Sequence, residues 1–132
     1  MKLITIIACA IIALGSVLSL EAAVEKKAKS GTLYHVVSLK FKDSATPVQI
    51  KEVEAAFKAL KTKISGIKSL KSGTNVSPEK MNKGFTHCFV LTFKSDKDRD
   101  AYLVHPDHQA FGKSLGPVLE EAMVIDFWSK KK

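Results

Sequence analysis

The sequence predicts an α+β fold, a ferredoxin-like sandwich with the element order βαββαβ. Two stretches, Leu33 to Lys42 and Phe85 to Lys94, alternate their residue character at the two-residue period of a strand. Apolar residues in the intervening segments recur at three- and four-residue steps behind helix-capping residues. The 132-residue length suits one domain.

The first strand places Leu33, His35, Val37, Leu39 and Phe41 on one face, and Tyr34, Val36, Ser38, Lys40 and Lys42 on the other. A helix follows. Thr46 is its N-cap, Pro47 suits the first turn, and Gln49 completes a capping box. Ile50, Val53, Phe57, Leu60 and Ile64 form its apolar stripe, and Ser65-Gly66 stops it, with the glycine available for a left-handed turn. Ile67 to Val76 is a weaker, irregular strand, and Ser77 to Gly84 is a polar loop. In the next strand Phe85, His87, Phe89, Leu91 and Phe93 share one face, opposite Thr86, Cys88, Val90 and Thr92.

Ser95 caps a second helix with acidic residues in its first turn. That helix breaks before Pro106, because proline disfavours helical geometry in the residue ahead of it. Another helical segment spans about Asp107 to Leu115, and Gly116-Pro117 turns the chain. Met123 to Trp128 is the last strand. The helices are expected to cover the strongly apolar, odd-numbered sheet face, so His35 and His87 point beneath them. The other face, assigned Val36, Cys88, Val90, Val124 and Trp128, is too apolar for water, and a second copy is expected to cover it, two sheets curling into a shared barrel.

Outside the domain, residues 1–22 carry a positive start, an apolar run and a small-residue exit, the pattern of a cleaved export signal. An uncleaved segment would instead anchor the chain in a membrane, the one route to a membrane partner. Residues 23–32 form a linker, residues 33–128 the domain, and residues 129–132 a basic tail. Cleavage removes Cys9 and leaves Cys88 alone, so no intramolecular disulfide forms in a periplasmic or secreted protein. The formal charge of +8 is spread along the chain, with a single arginine, Arg99, and no interleaved aromatics. This is a solvated basic surface and no nucleic-acid-binding pattern.

His35, His87, Tyr102, His105 and His108 bring titrating tips towards an apolar layer. Neutral His108 can take a proton from a carbon between two carbonyls, and Tyr102 can donate to the enolate oxygen that forms. His35 and His87 can orient the substrate, while Phe41, Phe57, Leu60, Phe89 and Phe111 supply apolar walls for a small apolar or aromatic ligand. Each of these residues also has a purely structural reading: buried histidines satisfied by neighbours, a tyrosine spanning core and solvent, and His105 capping a turn before Pro106. His105, Asp107 and His108 resemble metal ligands in spacing, but proline interrupts the helix that would align them, and no metal is expected.

The segments His35–Lys42, Gly73–Pro78, Lys83–Phe93, Tyr102–His108 and Val124–Phe127 resemble the stress-responsive dimeric α/β-barrel family, often called Dabb, over about Tyr34 to Trp128. The resemblance implies a dimeric α/β barrel. From the polyketide cyclases of that family it also implies an aldol-type ring closure without metal or organic cofactor. It places the active-site tyrosine at Tyr102, the key histidine at His108, and further site histidines at His35, His87 and His105. The alternative is a non-catalytic stress-response or structural homodimer.

Overall fold

The computed structural model describes residues 31–130, so the expected signal segment and most of the linker lie outside the described residues. Among those described, no helix is long and apolar enough to cross a membrane. The elements are β1 (Thr32–Phe41), α1 (Pro47–Lys63), β2 (Ser69–Thr74), β3 (His87–Phe93), α2 (Asp96–Leu103), α3 (Pro106–Ser114) and β4 (Leu119–Ser129). They form one four-stranded antiparallel sheet in the order β2-β3-β1-β4, with the helices on one face. This is the expected ferredoxin-like α+β fold, its second helix divided in two at Pro106.

The local chemistry explains the boundaries. Thr46 Oγ1 accepts a hydrogen bond from the Gln49 N–H at 3.2 Å, and Gln49 Oε1 accepts one from the Thr46 N–H at 2.9 Å. Two otherwise orphaned donors at the start of α1 are thereby satisfied. Ser95 caps α2 in the same manner through the Asp98 N–H. The expected left-handed turn at Gly66 does not form: α1 ends instead with Ile64 in an extended conformation, and Ile64 and Ile67 are both drawn into the core. Burial of those two side chains decides the exit path of the chain.

The core lies between the sheet and the helices. Phe57 of α1 stacks on Phe89 of β3 at 4.1 Å between ring centroids, and Phe111 of α3 leans on Phe57 at 4.7 Å. Leu33, Leu39, Leu91 and Phe93 of the sheet and Leu60 of α1 are buried around them. Each such side chain contributes about 1.5–3 kcal/mol by leaving water.

The register corrects one expectation. Val124 pairs with Val37 and Trp128 with Leu33, so both stand on the helix side of the sheet and not on its open side. Met123, Ile125 and Phe127 pair with Ser38, Val36 and Tyr34 and occupy the open side. Both alternating sets of this strand are apolar, so periodicity alone could not choose between them; pairing with β1 does. β4 also begins four residues earlier than its apolar run, at Leu119. The helices leave its helix-side row thinly covered, and Val124 remains 54% exposed.

Candidate functional site

A pocket of about 200 Å³ opens between α2, α3, β1 and β4. Its polar lining comes from His35, Tyr102 and His108, and its apolar lining includes Val37, Phe57, Phe111 and Val124. Alternation along β1 delivers His35, the last turn of α2 delivers Tyr102, and the break at Pro106 swings His108 back over Tyr102. The ring centroids of Tyr102 and His108 lie 4.3 Å apart, and those of Tyr102 and His35 lie 5.5 Å apart.

Tyr102 is completely buried. Its hydroxyl is the only buried side-chain polar atom among the described residues without a hydrogen-bond partner. Burial, aided by the Asp126 carboxylate, pushes the phenol far above its ordinary pKa, so it stays a proton donor. His108 Nδ1 lies 3.1 Å from the Leu103 carbonyl oxygen, which can only accept. Nδ1 therefore carries a hydrogen, and in the neutral ring Nε2 keeps the basic lone pair. Burial lowers the His108 pKa, partly opposed by that backbone hydrogen bond, with His35 and His105 lowering it further. At neutral pH the ring is an uncharged base.

His35 is 4% exposed, and its Nδ1 lies 2.6 Å from Asp126 Oδ1. The other oxygen of Asp126 accepts from Arg99 Nη1. Sequence reasoning missed both Asp126 and Arg99. The available signals were a lone acid inside the apolar run Met123–Phe127 and a lone arginine one turn before Tyr102.

The remaining expected site residues lie elsewhere. His87 shares the helix side of the sheet, but it pairs with Leu39, roughly 13 Å along β1 from His35. It does not line this pocket; its Nδ1 meets Thr86 Oγ1 at 2.8 Å and its Nε2 lies 3.5 Å from Glu54. His105 caps α3, its Nδ1 accepting from the Asp107 N–H at 3.2 Å, as its structural reading anticipated. Phe89 is buried behind Phe57 and is absent from the lining, whereas Phe111 forms part of the wall. Of the five expected histidine and tyrosine side chains, the structure brings His35, Tyr102 and His108 together at this pocket and places His87 and His105 outside its lining. Among the described residues no group of three or more histidines, cysteines or acids gathers to hold a metal ion. Cys88 is a free thiol, half-buried on the open side.

Sheet, helical cover and ring-lined pocket define an α+β protein of ferredoxin-like fold. A family model for the stress responsive A/B barrel domain, Dabb, matches residues 33–129, and the chain belongs to that family. Over 97 residues it is 33% identical to the stress-response A/B barrel domain-containing protein HS1 of Arabidopsis thaliana, a span of 74% of this chain and 89% of the relative. It is 30% identical over 97 residues to olivetolic acid cyclase of Cannabis sativa, covering 74% and 96%. Hydroxynitrile lyase from Passiflora edulis matches in structure with a TM-score of 0.72 at 25% identity, covering 79% of this chain and 98% of that one. A dimeric protein of ferredoxin-like fold from Bacteroides fragilis matches with a TM-score of 0.62 at 28% identity, covering 76% and 98%.

Proposed function

We propose that the pocket binds a small apolar or aromatic molecule and moves a proton on it without a cofactor, chemistry of the cyclase or lyase kind. The unpartnered, buried hydroxyl of Tyr102 carries this reading. A buried donor left unmade costs about 1–3 kcal/mol, and a ligand oxygen is the partner that would relieve it. The neutral His108 ring beside it supplies the complementary base. His108 Nε2 takes a proton from an acidic carbon, the electron pair moves onto the adjacent carbonyl oxygen, and Tyr102 donates a hydrogen bond to that oxygen. Relatives named as a cyclase and a lyase support the reaction class. At about 200 Å³ the pocket is smaller than common ligand sites, which favours a molecule about the size of one ring.

The protein acts as a homodimer in this proposal. Met123, Ile125 and Phe127 are 44–52% exposed on the open side of the sheet, next to half-buried Val36 and Val90. A second copy laid on that face removes them from water, as the dimeric neighbour of similar fold suggests. Residues 1–22 direct export and are then removed, which N-terminal mass determination of the mature protein tests.

The ligand reading is tested by thermal-shift screening with aromatic acids and β-diketones, repeated on His108→Ala and Tyr102→Phe. A shift in the wild type that both variants lose supports it. No response to any compound favours the second reading, a non-catalytic stress-response dimer, to which the identity with HS1 lends weight.

A further inference from the structure

We propose that Arg99 is a positioning residue: its guanidinium holds the Asp126 carboxylate so that Oδ1 stays on His35 Nδ1, fixing which nitrogen of His35 is left for the pocket. The inference rests on the pocket being a ligand site and adds to it a residue that never touches the ligand.

Asp126 lies on β4, the edge strand whose helix-side row is thinly covered, and its side chain is 26% exposed. A carboxylate in that place, left to itself, rotates towards water. Here its two oxygens are divided, Oδ1 to His35 at 2.6 Å and Oδ2 to Arg99 Nη1. The guanidinium is itself held. Its Nε donates to Asp100 at 2.7 Å, and Nη2 lies 3.7 Å from Asp96. All three nitrogens therefore face carboxylates, and the plane of the fork is set. The same helix meets the same strand a second time, where the Trp128 indole lies 3.4 Å from Asp96 Oδ1.

This clamp joins α2 and β4, two of the elements that frame the pocket. Arg99 stands three residues before Tyr102 on α2, so the two share one helix face. Asp126 stands opposite His35 in the β1–β4 register. Fixing the carboxylate fixes the imidazole, because a ring that donates Nδ1–H to Asp126 cannot flip without breaking a charge-assisted hydrogen bond. The His35 ring then keeps one orientation, at 70° to the Tyr102 ring with 5.5 Å between centroids. A lysine at position 99 would supply charge but not the planar fork.

The test is proton NMR on the purified full-length chain, without added ligand. An Nδ1 proton shared with a carboxylate resonates downfield of the backbone amides and exchanges slowly with water. We expect this signal in the wild type and its loss in Asp126→Asn. Exchange should be about tenfold faster or more in Arg99→Gln, the equivalent of one charge-assisted hydrogen bond, with a smaller acceleration in Arg99→Lys. The amide spectrum reports folding. If Arg99→Gln does not fold, Arg99→Lys carries the comparison and must still accelerate exchange. Absence of the signal from the wild type, its survival in Asp126→Asn, or wild-type exchange in a folded Arg99 variant overturns the proposal. Because no ligand is present, this result and that of the ligand screen fail independently.

Discussion

Replacing Tyr102 by phenylalanine should stabilise the unliganded protein, an unusual outcome for a change at a fully buried residue. The ring keeps its neighbours, with Phe93 at 5.3 Å, His35 at 5.5 Å and His108 at 4.3 Å between centroids. Only the hydroxyl is lost, and that atom has no partner. The penalty for a buried, unmade donor is about 1–3 kcal/mol, so Tyr102→Phe should gain about 1 kcal/mol or more. For a domain of this size that corresponds to a rise in Tm of about 4–8 °C. Urea unfolding followed by fluorescence of the single tryptophan, Trp128, measures it, with protein concentration held constant because the proposed dimer would make apparent stability depend on concentration. The gap should widen in alkali. The folded phenol has a raised pKa, so above the ordinary value of about 10 the unfolded wild type releases its proton first and folding loses stability as pH rises. Tyr102→Phe lacks that term. A loss of 1 kcal/mol or more in the variant would mean that the hydroxyl is already bonded in the folded protein, which removes the reason to place a ligand there.

Other perturbations probe other links. The His108 pKa is lowered on folding, so the unfolded chain binds that proton first; stability should fall as pH drops below about 6.5 towards the folded value, and His108→Ala should flatten this limb of a pH series. Thr46→Ala removes the side-chain half of the α1 capping box, the bond from the Gln49 N–H to Thr46 Oγ1, while the backbone N–H at position 46 can still donate to Gln49; it should cost about 1 kcal/mol in chemical unfolding, with the pocket unaffected. Ile125→Lys places a charge on the open sheet face and should give a monomer by light scattering, its circular dichroism unchanged; a persistent dimer would locate the interface elsewhere.

Much of this architecture is legible in the residues because each feature has a local cause. The period of two along β1 places His35 beneath the helices, Thr46 and Gln49 announce α1, and Pro106 breaks the chain between Tyr102 and His108. What escaped the sequence depends on register. Alternation assigns His87 to the same side as His35 but is silent on distance along the strand, and the β1–β3 pairing separates them by four residues. β4 is apolar in both phases, so only its pairing with β1 reveals that Asp126 lies opposite His35. Arg99 and Asp126 are 27 residues apart, a separation with no local signature. At Gly66 a residue suited to a left-handed turn was not needed, because two flanking isoleucines had a core to enter.

The most direct measurement is deuterium uptake from heavy water at the acidic carbon of a β-diketone. Uptake above the uncatalysed rate in the presence of the wild-type chain, abolished in His108→Ala and strongly reduced in Tyr102→Phe, is the predicted result. A wild-type rate no faster than buffer across the compounds that bind, or acceleration that survives both substitutions, would contradict the account.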